Sequence, residues 1–254
     1  RLVLAAKIYT RSCIESGKNQ MYNLPPAYFS IPRSDGSENA DSIAFKQYAE
    51  KEYCIALADG VGKSIHGPDA SRIATNIAIT EAPTKSIPVI FDEARSALIS
   101  GASKTPGTVW STTLTVCKIS HYRAAVGHVG DARLYHLRGD GIITRTRDQT
   151  ELQALLDEGV ISKERAKKYP RKNVLLSALS SDSNYNLQLT EFEVAVSDRL
   201  LLVSDGVYKQ ILRREIAELS ANAQSVNIFI DNLYNLLKVR GIVDDSTAIC
   251  IEID

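Results

Sequence analysis

Ten short segments rich in β-branched, aromatic and aliphatic residues are the feature that most limits how this chain can fold. Their length and residue types are typical of β-strands, and they cover residues 28–31, 42–47, 52–58, 111–119, 123–129, 132–137, 141–145, 188–196, 199–203 and 247–253. Several are joined by short polar turns, such as Ser-His-Tyr at 120–122 and Arg-Gly-Asp-Gly at 138–141. Tight polar turns build antiparallel hairpins, so the chain predicts antiparallel sheets.

Helical periodicity is confined to a few blocks of the chain. Residues 69–82 and 87–103 lie between the third and fourth predicted strands, and the shorter blocks 150–158 and 162–168 precede the later strands. Apolar residues also recur at spacings of three and four between positions 226 and 237. Because strands and helices are segregated, the order predicts an α+β fold with helices outside packed sheets. No repeat or long linker divides the sequence, so we expect a single domain over residues 1–254.

Charge and hydropathy argue against two classes of protein. The 30 Lys and Arg residues balance 30 Asp and Glu residues, whereas non-specific nucleic-acid binding needs a basic face. Apolar runs such as those at 87–91 and 200–203 are far shorter than the ~20 residues that span a bilayer. The first residues, RLVLAAKIYTRSC, lack the apolar core of a signal peptide. We therefore expect no nucleic-acid partner and no membrane partner.

The cysteines favour a reducing compartment. They are widely spaced and form no CxxC pair, which argues against a zinc site or a disulfide framework. Three of them lie in apolar alternating runs, where a reduced cysteine acts as a small hydrophobic residue. The four are Cys13, Cys54, Cys117 and Cys250. This pattern predicts buried, reduced thiols in a cytoplasmic protein.

Aspartates stand where several apolar runs end. Asp59, Asp131 and Asp205 each follow such a run, and Asp244-Asp245 opens the last predicted strand. Any one of these sites alone is more typical of a turn. Four of them suggest a shared role, because an ionised carboxylate at a buried strand end is costly unless a cation compensates it. An all-oxygen set suits Mg²⁺ or Mn²⁺ better than Zn²⁺, so the residues predict an oxygen-ligand metal site and no more.

Five segments, in order along the chain, resemble the metal-dependent serine/threonine protein phosphatases of type 2C, the PPM family, in its bacterial form. They are ADGVGKSIHGPDASRIA at 58–74, GHVGDARLY at 127–135, RDQTELQALLDEGVISKERAKKYPRKNVLLSAL at 147–179, RLLLVSDGV at 199–207 and DDSTAICIEID at 244–254. The resemblance implies two packed antiparallel β-sheets flanked by helices on both sides, a four-layer αββα sandwich. It also implies a variable flap subregion around residues 148–185.

The resemblance further implies a binuclear centre of Mn²⁺ or Mg²⁺ at one edge of the sandwich. Asp59 would bridge the two ions, and the carbonyl of Gly60 would bind the second. Asp205 and Asp244 would complete the protein ligands of the first ion.

Two further aspartates acquire roles by resemblance alone. Asp41, in the segment ENADS, matches the aspartate of the family's N-x-D motif and would orient the attacking water beside the metal ions. Asp131 would hold a third, weaker ion, with Asp205 shared between the sites.

Several positions depart from the family pattern. Gly36 stands where the family places its phosphate-binding arginine. Arg33 is a candidate replacement, although a solvent-exposed arginine is the more common explanation, since bidentate phosphate binding is geometrically demanding. Ala40 replaces a frequent glutamate. Ser64 occupies the usual histidine position, which leaves the general acid unassigned and makes His66 a candidate beside its alternative as a surface residue.

The flap contains a basic run. Residues 163–172 carry six positive charges against one glutamate. The pattern favours a solvated helix face, and the functional alternative is a docking surface for an acidic or phosphorylated protein.

Three functions remain open at this level. The leading hypothesis is a monomeric phosphatase that hydrolyses phosphoserine and phosphothreonine with a water activated by two Mg²⁺ or Mn²⁺ ions. Its partners would be a phosphorylated protein and, as a further candidate, a cognate Ser/Thr kinase. The alternative is a pseudophosphatase that acts as a regulatory protein-binding module, for which Gly36, Ala40 and Ser64 argue. A third possibility is a phosphatase for small phosphomonoesters.

Overall fold

The computed structural model describes residues 25–61 and 65–254. Cys13, Ser64 and the segment tested for a signal peptide lie outside the described residues. Within them, no helix has both the length and the hydropathy that crossing a membrane requires.

Twelve strands and seven helices make up the described part of the chain. The strands are β1 Ala27–Ile31, β2 Asp41–Ala49, β3 Glu52–Asp59, β4 Ser111–Thr112, β5 Leu114–Ser120, β6 Arg123–Val129, β7 Arg133–Arg138, β8 Gly141–Thr144, β9 Leu179–Ser180, β10 Gln188–Glu193, β11 Arg199–Val203 and β12 Ser246–Glu252. The helices are α1 Gly67–Glu81, α2 Ile87–Ala102, α3 Glu151–Asp157, α4 Lys163–Ala166, α5 Asp205–Tyr208, α6 Arg213–Asn222 and α7 Val226–Arg240.

Two five-stranded antiparallel sheets form the centre of the fold. The first has the order β1-β12-β11-β7-β8, and the second has the order β10-β6-β5-β3-β2. A two-stranded ribbon, β4-β9, lies beside them. The α+β prediction of two antiparallel sheets is therefore confirmed.

Hydrophobic residues alternate along the central strands, because successive side chains point to opposite faces. On β3, the residues Tyr53, Ile55 and Leu57 lie in the layer between the sheets, packed with residues of β11 and β12. Their neighbours Cys54, Ala56 and Ala58 face α1 and α2. A third apolar cluster joins the other face of the first sheet to α6 and α7. The three apolar clusters separate four layers, helices, sheet, sheet and helices, so the predicted αββα arrangement is confirmed.

Small residues let α1 lie close to the second sheet. Ala70, Ala74 and Ala78 recur every four residues, are fully buried, and pack in the same cluster as Ala56 and Ala58 of β3. Spacing of four places side chains on one helix face. The close packing holds the helix beside the end of β3, where Asp59 lies.

The described cysteines are buried and unpaired, as predicted. Cys54, Cys117 and Cys250 are fully enclosed and form no disulfide. Burial raises the pKa of each thiol, that of Cys54 to about 12. They serve as small apolar residues of the core.

Two strand predictions are wrong in their extent. The expected strand 111–119 is interrupted at Thr113 and divided into β4 and β5, although the Thr113 N–H still donates to the Asp59 carbonyl of β3. The resulting β4 pairs with β9, an element that the sequence pattern did not predict. The expected strand 188–196 ends at Glu193, where the backbone enters a turn before Asp198.

Candidate metal centre

A hairpin brings two of the candidate aspartates face to face. Asp41, the first residue of β2, is the direct cross-strand partner of Asp59, the last residue of β3. Directly opposite residues project from the same face of a sheet, and like charges there are destabilising. A pair of carboxylates at this position therefore requires compensation.

The backbone around Asp59 is held by residues of the neighbouring strands. Its N–H donates to the Thr113 hydroxyl at 2.9 Å, and its carbonyl accepts the Thr113 N–H at 2.8 Å and the Thr112 hydroxyl at 2.9 Å. The next N–H, of Gly60, donates to the Ala40 carbonyl at 3.0 Å. A Cβ on Gly60 would lie 2.5 Å from the Gly67 backbone, so glycine is required there. The chain thus fixes both the carboxylate and the carbonyl that follows it.

The other sheet supplies Asp205 and Asp244 at the same edge of the sandwich. Strands β11 and β12 are antiparallel, with Val203 opposite Ala248, so the end of one strand meets the start of the other. Asp205 follows β11, and Asp244 precedes β12. The side chain of Asp205 is 16 % exposed and that of Asp244 is 45 % exposed, so both remain accessible at the rim.

The carboxylates from the two sheets converge to interacting distance. Burial raises the pKa of Asp59 well above its usual range, and the charges of Asp41, Asp205, Asp131 and Asp244 raise it further. The pKa of Asp131 rises to about 6, through burial and then through Asp205. Within the described residues, no group of three or more His, Cys, Asp or Glu side chains has the geometry to coordinate a metal ion. The cluster is therefore an accumulation of negative charge without a complete coordination shell.

Asp41 is a buried member of this cluster. Both of its carboxylate oxygens are buried and have no hydrogen-bond partner among the described residues. Burial raises its pKa to about 7; nearby Ser204 and Thr247 hydroxyls, which fall short of hydrogen-bond geometry, lower it, and Asp205 and Asp245 raise it. A buried carboxylate without donors is costly, and a hard cation nearby relieves that cost. The donor set therefore fits Mg²⁺ or Mn²⁺.

Two basic side chains of the protein already contact the carboxylates. The Arg33 guanidinium lies 3.5 Å from Asp244 Oδ1 and 3.2 Å from Asp245 Oδ2. Lys209 Nζ forms an ion pair with Asp205 Oδ2. The side chain of Arg33 is 39 % exposed, so it lies at the rim between the cluster and solvent.

Asp245 is a positioning residue that the sequence pattern did not single out from its neighbour. Its side chain is buried and accepts the Arg33 N–H at 2.8 Å and the Ala40 N–H at 2.9 Å. It thereby ties the segment before β2, and with it Asp41, to the start of β12. The sequence shows that Asp245 stands directly before an apolar strand, but it does not show that the side chain of Asp245 is buried.

Asp131 sits in a separate hydrogen-bonded setting. Its Oδ2 accepts the Tyr208 hydroxyl at 3.3 Å, and the Arg133 guanidinium lies 3.8 Å from the centre of the Tyr208 ring. Arg133 also binds Asp148 through two nitrogens, at 2.9 and 2.7 Å. Asp131, Lys209 and the flap residue Lys172 line one groove of about 290 Å³. The groove connects the carboxylate cluster to the flap.

His66 lies near this site but has other contacts. Its ring stacks on Trp110, with centroids 4.7 Å apart, and its Nδ1 lies 3.8 Å from Asp69. It directly precedes Gly67, whose backbone touches Gly60. A role for His66 as general acid stays a prediction.

Comparisons with known proteins identify the family. The family model described as protein phosphatase 2C matches residues 32–245. The chain belongs to the protein phosphatase 2C family. Its resemblance to PPM enzymes, and the phosphatase class that this implies, are therefore confirmed.

Individual relatives agree with this assignment. The serine/threonine phosphatase stp of Listeria innocua is 26 % identical over 84 % of this chain and 90 % of its own length. The crystal structure of the Mycobacterium tuberculosis serine/threonine phosphatase PstP/Ppp is 27 % identical, with a TM-score of 0.78 over 91 % of this chain and 98 % of that one. The catalytic domain of PstP in complex with two manganese ions is 26 % identical, with a TM-score of 0.75 over the same shares.

Proposed function

We propose that this chain is a serine/threonine protein phosphatase that works with two Mn²⁺ or Mg²⁺ ions held by Asp59, the Gly60 carbonyl, Asp205 and Asp244. The observation that carries the proposal is the pair of opposed carboxylates, Asp41 and Asp59, facing further aspartates from the other sheet. Such a concentration of charge is stabilised by divalent cations. The relative with two manganese ions adds support.

Different residues of the chain would then have different roles in phosphomonoester hydrolysis. Two bound divalent ions supply Lewis-acid stabilisation of the phosphoryl oxygens and lower the pKa of water. Asp41 offers two buried oxygens without donors, and these can accept a hydrogen bond from the attacking water and orient it. Arg33, exposed beside Asp244, is placed to contact the phosphoryl group of the substrate. As water attacks phosphorus, the bond from phosphorus to the seryl or threonyl oxygen breaks.

Asp131 is the remaining candidate of the ligand set. The resemblance assigns it a third ion, shared with Asp205. Burial and the charge of Asp205 raise the pKa of Asp131, which supports a role for this carboxylate beside the proposed binuclear centre. Whether it holds an ion depends on the positive side chains around it.

The substrate would be a phosphorylated protein, as the names of the relatives suggest. The groove between the carboxylates and the flap is the surface that would receive the residues next to the phosphate. We also propose, from the sequence, a single domain that works as a cytoplasmic monomer opposite a cognate Ser/Thr kinase.

A pseudophosphatase is the second candidate function. Arg33 and Lys209 neutralise carboxylates that the centre requires, and Gly36, Ala40 and Ser64 depart from the family pattern. A protein of this kind would keep the fold and bind partners without hydrolysis.

Hydrolysis of p-nitrophenyl phosphate with Mn²⁺ and with a chelator separates the two functions. We expect a metal-stimulated rate that falls by about 100-fold or more in Asp59→Asn and in Asp205→Asn, because each removes charge from the centre that stabilises the transition state. Asp231→Asn, on an exposed face of α7, is the matched control and should keep the full rate.

Wild-type protein without any metal-stimulated rate would favour the pseudophosphatase. Full activity in either centre variant at saturating Mn²⁺ would refute the proposed ligands. A panel of phosphoserine and phosphothreonine peptides, set against small phosphomonoesters, then tests the substrate class.

A further inference from the structure

We infer that the ammonium group of Lys209 takes the place of a third divalent ion between Asp131 and Asp205, so that this chain binds two metal ions. The inference rests on the proposed binuclear centre. It concerns the candidate ion that Asp131 and Asp205 would share, beside which the protein brings the ammonium of Lys209.

The position of Lys209 follows from local structure. It comes four residues after Asp205, and the intervening residues form the single turn of α5. This spacing puts the two side chains on one helix face, and Lys209 Nζ forms an ion pair with Asp205 Oδ2. The backbone N–H of Lys209 also donates to the Asp205 carbonyl at 3.0 Å. The ammonium is therefore held against Asp205 by the turn itself.

The same ammonium acts on Asp131. Its positive charge lowers the pKa of Asp131, against the raising effects of burial and of Asp205. Both Lys209 and Asp131 line the groove of about 290 Å³ that leads to the flap. An ion bound by Asp131 on this side would share the groove with the ammonium of Lys209.

A second cation strengthens the case. Arg133 lies over the ring of Tyr208, whose hydroxyl donates to Asp131, and it is bound to Asp148 by two hydrogen bonds. The region thus contains two basic side chains against the carboxylates of Asp131, Asp148 and Asp205. A divalent ion placed here would be repelled by an ammonium at ion-pair distance. It would also lose Asp205 Oδ2, which Lys209 occupies.

In the described part of the chain, Asp41, Asp59 and Asp244 have no such tightly paired cation. Asp41 has no hydrogen-bond partner among the described residues, and the charge that acts on Asp59 is contributed by other carboxylates. Arg33 contacts Asp244 only at 3.5 Å and is anchored to Asp245 instead. The protein therefore supplies a tightly paired ammonium to the Asp205 oxygen beside Asp131, whereas Asp41 and Asp59 form no ion pair among the described residues.

Direct counting of bound Mn²⁺ tests the inference without relying on activity. Full-length protein is dialysed against a series of Mn²⁺ concentrations, and the bound metal is measured by elemental analysis and by titration calorimetry. Wild-type protein should bind two ions. Lys209→Asp should bind a third ion, at least about 100-fold more tightly than wild type does, because a ligand replaces a repelling charge. Lys209→Met should bind the third ion weakly.

Two further variants locate the extra ion. Adding Asp131→Asn to Lys209→Asp should remove the third ion, whereas Asp131→Asn in the wild-type background should leave the count at two. Lys104→Met removes an exposed lysine after α2 and is the matched control. Circular dichroism establishes whether each variant is folded. If a variant is unfolded, the number of ions bound by the wild-type protein still tests the inference.

Each outcome bears on the inference. Three ions in wild type, the third lost in Asp131→Asn, would overturn it and leave the binuclear proposal intact. A count that stays at two in folded Lys209→Asp would also overturn it, since Lys209 would not be what excludes the ion. Fewer than two ions in wild type would overturn the binuclear proposal and this inference together.

Discussion

His128 is a buried side chain whose environment favours its neutral form. Its Nδ1 and the Thr115 hydroxyl are 2.8 Å apart, and its Nε2 is buried without a hydrogen-bond partner among the described residues. Burial lowers its pKa from 6.5 to about 4. It lies on β6 directly opposite Thr115 of β5, so its protonation affects the stability of the second sheet.

The lowered pKa of His128 should make the fold sensitive to acid. Between pH 6.5 and 4 the unfolded chain takes up a proton that the folded chain does not, so this residue's contribution to stability is lost as the pH falls through that window. We expect the loss to amount to about 2 kcal/mol between pH 7 and pH 5. Urea unfolding of wild type and His128→Asn at both pH values measures it, since the variant lacks this component.

His121 offers the matched control for this measurement. It is exposed in the turn between β5 and β6, with a φ of 53° that asparagine tolerates. His121→Asn should keep the pH dependence of the wild type. Equal dependence in wild type and His128→Asn would contradict the assignment.

The short helix α5 is seated directly on the start of β12. A Cβ at Gly206 would lie 2.0 Å from the Asp245 carbonyl oxygen and 2.7 Å from Ser246 Oγ. The absence of a side chain at this position allows the approach, which seats the first turn of α5, where Asp205 lies, against the residues that follow Asp244. The geometry of the candidate metal centre thus depends on one close contact between two elements.

Gly206→Ala should separate these elements. We expect a loss of about 1–3 kcal/mol in the free energy of unfolding, typical of overpacking, together with weaker Mn²⁺ binding, because Asp205 moves away from Asp244. Urea unfolding and Mn²⁺ titration measure the two effects. Gly141→Ala is the control, since its Cβ would meet only the Arg138 carbonyl oxygen, at 3.2 Å. Unchanged metal affinity in folded Gly206→Ala would show that the contact does not position the centre.

A buried ionic network joins the two sheets. Asp198 is 1 % exposed and accepts hydrogen bonds from His136 Nε2 and Arg138 of β7, each at 2.7 Å, and from the Ala195 N–H after β10 at 2.8 Å. The ring of His136 stacks on Phe192 of β10, with centroids 5.2 Å apart. Burial alone would raise the pKa of Asp198, but these donors lower it to about 2. One carboxylate therefore links an element of each sheet.

Removal of that carboxylate should destabilise the whole molecule. Asp198→Ala leaves the buried His136 ring and the Ala195 N–H without their acceptor, whereas the exposed Arg138 stays hydrated; we expect a cost of about 1–3 kcal/mol in the free energy of unfolding. The matched control is Glu191→Ala, which breaks a 3.5 Å ion pair with Arg123 whose two side chains are 69 % and 75 % exposed; it should cost less than about 1 kcal/mol. Guanidinium unfolding compares them, and equal small effects would deny the network its role in joining the sheets.

Much of this architecture can be read from the sequence, because its signals are local. Segments rich in β-branched, aromatic and aliphatic residues predicted strands of both sheets, and helical periodicity over residues 69–82 and 226–237 predicted α1 and α7. The aspartates of the candidate centre were also visible, since Asp59, Asp131 and Asp205 each follow an apolar run. The strand β9 and the helices α5 and α6 lie outside every predicted segment; β9 and α5 have two and four residues, too few to show periodicity.

The partners of each charged side chain were decided only by the tertiary structure. Arg33 and Asp245 are 212 positions apart and share two hydrogen bonds, and Lys209 is positioned to oppose the charge of Asp131 from another strand end. The apolar pattern of a strand states which residues are buried, whereas the energy of a charge depends on every other charge brought near it. The sequence alone therefore determined that acidic residues stand at strand ends; the stacking of two sheets decided which of them face each other and which receive a cation from the protein itself.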